Sequence, residues 1–160
     1  MQDKLQDFGE LGLGSRLKRL SDFMMKEIQL VYDAAHIDFD PYLFPIFKVI
    51  IDQKQATTTD IQEALHYTQP AITQALKKLM DKKLVTYKTD PIDKRKKIFK
   101  LSKKGSSLHK QMIPLWEIMD QQVKWLTEGS TTSLIKHINH LENQLKEKSL
   151  HQRILETYNR

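Results

Sequence analysis

The sequence predicts a mainly α-helical protein carrying one small β-hairpin, and three observations predict it. Apolar residues recur at three- and four-residue steps along most of the chain, which is the helical period. Two short runs, Leu84-Val85-Thr86-Tyr87-Lys88 and Lys97-Ile98-Phe99-Lys100-Leu101, are instead rich in branched and aromatic residues, and Asp90-Pro91 between them starts a turn. Charge is the third observation. Between Lys77 and Lys104 stand twelve Lys/Arg against three Asp, a net of +9; the whole chain is +6, so the remainder is −3. A positive field confined to one segment suits a polyanion lying against one face. From Thr57 to Leu101 the order is two short helices, a strand, a charged loop and a second strand. That order reads as a winged helix-turn-helix able to grip duplex DNA.

A chain of 160 residues favours one domain with appended helices. An apolar fraction of 39% with 8% aromatics is enough for a real core and argues against global disorder. With no cysteine, disulfides, thiolate metal sites and thiol redox sensing are excluded. The first residues, MQDKLQDFGELGLGS, are acidic and polar and lack the apolar core of a secretory signal. No apolar run approaches the ~20 residues of a membrane span. A soluble, cytoplasmic protein is expected.

Taken in order, Ser15 is placed to cap a helix running to Ala35, with Leu17, Leu20, Met24, Ile28 and Val31 on its apolar stripe. His36-Ile37-Asp38-Phe39 connects it to Asp40-Pro41, an N-cap followed by proline in the first helical position. Leu43, Phe44, Phe47, Ile50 and Ile51 form the wide stripe of a buried helix, with a local bend expected at Pro45. Gln53-Lys54-Gln55 closes it. Thr57 and Asp60 then resemble a capping box for a helix over 58–65 that buries Ile61, Ala64 and Leu65. His66-Tyr67-Thr68 is the turn, and Thr68 caps a helix over 69–82. There Ile72, Ala75, Leu76 and Leu79 face inward, while Pro70, Thr73, Gln74 and Lys77 face outward. Thr, Gln and Lys are side chains that hydrogen-bond base edges and phosphates in a major groove.

Between the two strand runs, four consecutive cations follow Asp93. A hairpin with a cationic tip can straddle a sugar-phosphate edge and insert an arginine into the narrow minor groove. Asp93 is expected to hold an arginine or a backbone N–H so that the loop keeps its shape. Ser102 caps a long helix with Leu108, Met112, Leu115, Met119, Val123 and Leu126 on its seam and Pro114 expected to kink it or remove bonds. Glu128-Gly129-Ser130 breaks the chain. Ser130 or Thr131 then caps a last helix with the narrow stripe Leu134, Ile138, Leu141 and Leu145. After Lys146 the pattern shifts to Leu150, Ile154 and Tyr158.

From about Asp40 to Gly105 the sequence resembles the MarR family of bacterial transcription regulators. Three parts carry the resemblance: Thr59-Asp60-Ile61 through Thr68-Gln69-Pro70-Ala71-Ile72-Thr73 to Leu84-Val85; the wing segment Asp90-Pro91-Ile92-Asp93-Lys94-Arg95-Lys96-Lys97, similar to the family's Asp, spacer, Asp, then Arg-Arg; and Leu101-Ser102-Lys103-Lys104-Gly105, like the family's Leu-Thr-x-x-Gly. The resemblance implies a single 1–160 domain, with 40–105 as the winged-helix DNA-binding lobe and 15–36 and 106–158 as dimerisation helices. It implies a homodimer on a pseudo-palindromic operator, repression, and release by a small-molecule effector, aromatic or phenolic. Carried over by position, Thr68, Gln69, Pro70, Thr73, Gln74 and Lys77, with Lys78, match the recognition helix. Asp93, Lys94, Arg95, Lys96 and Lys97 match the wing, with Arg95 at the minor-groove position and Asp93 bracing it. Tyr32, His36, Tyr42 and Trp116 are the residues that could line an effector pocket; the alternative is that they are ordinary core. Two positions depart from the family. His66 and Lys83 stand where glycine is usual, so positive φ is expected there at a cost of up to ~1–2 kcal/mol each. Lys94 in place of arginine keeps charge but loses the bidentate fork.

Other readings compete. His137 and His140, spaced i, i+3, open a metal-responsive reading, but no third and fourth ligand stand at recognisable spacing, so no metal or cofactor is expected. No phosphate loop, thiol or catalytic constellation supports an enzyme. A non-specific architectural or RNA-binding module would use the same basic surface.

Overall fold

The computed structural model describes residues 3–127 and 131–158. Its helices are α1 (Lys4–Asp7), α2 (Leu13–Ala34), α3 (Phe44–Gln53), α4 (Thr58–Leu65), α5 (Gln69–Asp81), α6 (Lys103–Leu126), α7 (Thr131–Glu147) and α8 (Leu150–Tyr158). Strands β1 (Val85–Thr89) and β2 (Lys97–Leu101) pair antiparallel, Val85 opposite Leu101 and Thr89 opposite Lys97. The winged helix-turn-helix is therefore present, with helices before and after it. The chain forms two compact units, Met1–Lys110 and Gln111–Arg160.

In the first unit the core gathers Phe39, Leu43, Ile46, Phe47, Ile50, Ile61, Ile72, Leu76, Leu79 and Leu84. Phe39 is its hinge-pin: its ring meets Tyr32 edge-on at 5.9 Å and Phe47 at 5.2 Å. The expected α3 stripe is shifted, because Ile46 is buried where Phe44 stays partly exposed. A 3₁₀ turn, Pro41–Leu43, explains it by offsetting the helical phase ahead of α3. Asp40 caps that turn, accepting from Tyr42 N at 3.0 Å. Pro45 falls in the first turn of α3, where its missing N–H costs no helical bond.

The long helix α2 begins at Leu13, two residues before Ser15, which sits inside its first turn and does not cap it. The reason lies in the preceding segment: α1, capped by Asp3, and a 3₁₀ turn Gly9–Gly12 run straight into α2. Asp3 also takes both terminal nitrogens of Arg19 at 3.0 and 2.6 Å. The arginine holds that carboxyl below the usual range. Of the α2 stripe, Leu17, Leu20, Met24 and Val31 stay exposed, whereas Tyr32 is buried.

Helix α4 has its capping box: Thr57 Oγ1 accepts from Asp60 N, and Asp60 accepts from Thr57 N at 2.7 Å. Ala64, expected inside, is exposed. Ala56 exchanges both backbone bonds with Phe99 at 2.9 and 2.8 Å and so adds a one-residue third strand to the wing. His66 (φ 53°) and Lys83 (φ 59°) adopt the left-handed conformation expected of positions that favour glycine, as do His36 and Lys54.

Helix α6 starts where expected. Ser102 Oγ accepts from Gly105 N at 2.9 Å and donates to Lys83 O at 2.6 Å, joining its first turn to the end of α5. Pro114 lies inside α6 without ending it. In the second unit Met112 is buried, while Trp125, Leu126, Leu134, Ile138, Leu141 and Leu145 are exposed. The break at Glu128-Gly129-Ser130 and the capping side chain of Thr131 lie outside the described residues. The change of pattern after Lys146 is a helix break. Ser149 caps α8, its backbone N–H donating to Gln152 Oε1 at 3.1 Å and its Oγ accepting from Gln152 N at 3.4 Å. The Ser-x-x-Gln spacing carried that signal. No helix among the described residues is long and apolar enough to cross a membrane.

Candidate nucleic-acid interface

Helix α5 divides cleanly. Ile72, Leu76 and Leu79 are buried, and Gln69, Pro70, Thr73, Gln74, Lys77 and Lys78 are exposed, with Thr68 at the N-cap position. Thr68 makes no side-chain cap bond, so Pro70 in the first turn supplies the helix start. Thr73 Oγ1 donates to Gln69 O at 2.9 Å. Its proton is committed to the helix, so towards a ligand Thr73 offers a methyl group and an acceptor. Gln74 and Lys77 remain as outward donors.

The wing loop is held by two carboxylates. Asp90 Oδ1 accepts from Ile92 N at 2.8 Å and Asp93 N at 3.0 Å, and these N–H groups, with Lys96 and Lys88 nearby, pull its carboxyl below the usual range. Asp93 Oδ1 accepts from Arg95 N at 3.1 Å and Arg95 Nε at 3.2 Å. It therefore does both jobs foreseen for it, fixing the loop and steering the guanidinium. Backbone bonds from Lys96 N to Asp93 O and from Asp90 N to Lys96 O close the loop. Lys97 Nζ stands 4.3 Å above the Tyr87 ring, which stiffens the strand below the tip. Between wing and α5 opens a cleft of ≈ 250 Å³ lined by Thr58, Thr73, Met80, Arg95, Lys96 and Lys97, so the helix and the cationic loop share one surface. Lys94 is at the exposed tip of the loop.

The Asp90 bonds give a testable pH effect. A carboxyl lowered in the folded state contributes stability above its unfolded pKa and loses it as pH falls through the folded value. Asp90→Ala should therefore speed amide exchange at Ile92 and Asp93 near neutral pH, whereas Asp90→Asn, which keeps an acceptor, should largely preserve protection. Unchanged exchange in the alanine variant would mean that the loop is held by its backbone bonds alone.

Three residues went unread in the sequence as parts of this surface. Ile92 stands 94% exposed at the wing tip, held outward by the Asp90 turn. Asp38 and Asp40 reach lysines of α5 and its C-cap: Asp40 meets Lys78 at 3.4 Å, and Asp38 pairs with Lys82. Their alternation around the buried Phe39 was the available signal.

The four effector candidates are dispersed in role. Tyr32 is core, packed on Phe39. His36 is exposed at the end of α2 with φ 55°. Tyr42 is 58% exposed and donates its hydroxyl to Asp22 at 3.2 Å; desolvation, then that carboxylate, raises its pKa. Trp116 is half-buried in the second unit. Among the described residues no group of three or more His, Cys, Asp or Glu could hold a metal; His137 and His140 both lie on α7.

A model described as MarR family matches residues 44–96, from the start of α3 through the wing loop. Over that lobe the chain is similar to the MarR family. Solved MarR regulators share the fold beyond that lobe. A MarR/EmrR family transcriptional regulator from Acinetobacter is 18% identical with a TM-score of 0.70, over 84% of this chain and 95% of that one. BpsR from Bordetella bronchiseptica, whose DNA binding is regulated by 6-hydroxynicotinic acid, is 20% identical with a TM-score of 0.67, over 81% and 98%. A cysteine-to-serine variant of E. coli MarR in complex with operator DNA is 21% identical with a TM-score of 0.65, over 90% and 99%. No curated protein matches the chain in sequence.

Proposed function

We propose that this protein is a sequence-specific DNA-binding transcription regulator and not an enzyme. It binds a pseudo-palindromic operator as a homodimer, represses by covering a promoter, and is modulated by an aromatic or phenolic effector. The observation that carries this reading is the joint surface of α5 and the wing, where Thr73 and Met80 line one cleft with Arg95, Lys96 and Lys97, and Gln74 and Lys77 are exposed on the same helix. Lysine contacts to phosphate supply affinity and salt dependence, and the outward α5 side chains supply sequence choice. The remaining members of the contact set are Thr68, Gln69, Pro70, Asp93 and Lys94, with Lys78 at its edge, paired to Asp40 in the free protein.

Exposed apolar faces support the dimer. Leu13, Leu17, Leu20 and Phe23 on α2, and Leu134, Ile138, Leu141 and Leu145 on α7, are stripes a stable monomer would not leave in water. Two copies related by a two-fold axis demand half-sites about one helical turn, ~34 Å, apart. The effector is supported by the fold shared with BpsR, a protein regulated by 6-hydroxynicotinic acid.

Selecting bound duplexes from a random pool tests the reading, with an inverted repeat as the expected product. Gln74→Ala should then reorder the preferred sites, whereas Lys96→Ala should weaken every duplex alike and lower the salt slope by about 0.9. A pool that yields no symmetric motif, or a Gln74→Ala protein with the original ranking, counts against specific regulation and leaves a non-specific nucleic-acid binder.

A further inference from the structure

We infer that Asp38 and Asp40 are internal counter-ions that hold Lys78 and Lys82 away from DNA phosphates, lowering non-specific affinity so that sequence reading by α5 decides binding. This rests on the DNA-binding reading above and adds a specificity device to it.

The geometry is a two-point match. In a near-extended chain, residues two apart lie about 6.6 Å from each other, and residues four apart on a helix are about 6 Å apart along the axis. The two spacings are alike, and the structure pairs Asp40 with Lys78 at 3.4 Å and Asp38 with Lys82. Phe39 fixes the register, because its ring is buried at 1% exposure between Tyr32 and Phe47 and leaves its two neighbours to the surface. Asp40 is further held by its bond from Tyr42 N. Lys104 donates to Lys82 O at 3.0 Å, which ties down the end of α5 and adds a third cation near Asp38. Lys82 keeps the Asp38 carboxyl below the usual range, so it stays charged at neutral pH.

The energetics set the effect's size. Exposed ion pairs are weak, so a phosphate can displace the aspartate, but at the loss of the pair. On a matched site the α5 and wing contacts outweigh that loss. On random duplex, where phosphate contacts are nearly all there is, they do not.

The experiment is a cycle on the full-length protein: wild type, Asp38→Asn/Asp40→Asn, Lys78→Gln/Lys82→Gln and the quadruple variant. Each is titrated with a random duplex and with a selected duplex at several salt concentrations. Asparagine keeps an acceptor for Tyr42 N, and thermal melting checks that each variant is folded. The double Asn variant should bind random duplex about 3- to 10-fold more tightly with a steeper salt slope, and its ratio of selected to random affinity should fall. Lys78→Gln/Lys82→Gln should cost more affinity in the Asn background than in wild type, a coupling that a uniform change in net charge would not produce. Additive changes, or random-duplex affinity that does not rise, overturn the proposal while leaving the DNA-binding reading intact. Failure of wild type and all variants to bind any duplex overturns both. Should the Asn variant melt early, the Lys78→Gln/Lys82→Gln protein decides alone. A loss on random duplex as large as that from Lys96→Ala would show that those lysines already bind phosphate freely.

Discussion

Gly105→Ala is expected to lose about 3 kcal/mol of folding stability or more, the upper end of overpacking costs. A Cβ built at Gly105 would lie 2.0 Å from the Leu84 carbonyl oxygen and 2.9 Å from its carbon. That oxygen cannot retreat cheaply. It accepts from Ser102 N at 3.0 Å, while Leu84 N donates to Leu79 O at 2.9 Å and the Leu84 side chain is buried. Moving Leu84 would therefore disturb the end of α5, the root of β1 and the start of α6 together. Gly14 is the matched control, since a Cβ there meets nothing within 4 Å, and Gly14→Ala in a helix should be neutral or stabilising by up to about 1 kcal/mol. Urea unfolding of the two variants beside wild type measures the contrast. A Gly105→Ala midpoint close to that of Gly14→Ala would show that the close approach of α6 to Leu84 is not needed.

The same contact explains which parts of the fold were legible. The Leu-Ser-x-x-Gly segment drew notice through its likeness to MarR proteins, but the reason for its glycine is a tertiary approach of two backbones, which no local pattern reports. Local signals did well where the physics is local. The Thr57–Asp60 box, the Asp40-Pro41 start and the α5 stripe are each decided within one or two turns of chain. His66 and Lys83 could be placed at positive φ only because glycine is usual at those positions in the family. Misreadings came where a neighbour overrode the pattern: α1 and its 3₁₀ turn displaced the start of α2 from Ser15, and the turn at Pro41–Leu43 rotated α3 to bury Ile46. The exposed stripe of α2 was read correctly as periodic, yet periodicity alone does not say whether the covering partner lies in the same chain. Tyr32 shows the converse, because an aromatic chosen as a pocket candidate is committed to packing on Phe39. Asp38 and Asp40 escaped because their partners are 44 and 38 residues away in sequence.

Arg95→Ala is expected to weaken operator binding about 10- to 100-fold, the 1–3 kcal/mol of a well-oriented arginine contact. The side chain is 92% exposed, so little stability should be lost with it, and the melting temperature should hardly move. Orientation is what separates it from its neighbours. Asp93 takes the backbone N–H and Nε through one oxygen, which fixes the guanidinium plane and leaves its terminal nitrogens in solvent. Lys94 has no fork to orient and should act as a point charge, so Lys94→Ala should cost less and change the salt slope by about 0.9. Arg95→Lys keeps the charge but cannot reproduce the bond from Nε to Asp93, and it should recover only the part of affinity due to phosphate attraction. Asp93→Ala should then resemble Arg95→Lys more than wild type, despite raising the net positive charge of the wing. If the loss in Arg95→Ala were fully restored by lysine, or if removing Asp93 tightened binding to the operator, charge alone would account for the wing and the brace would have no part in recognition.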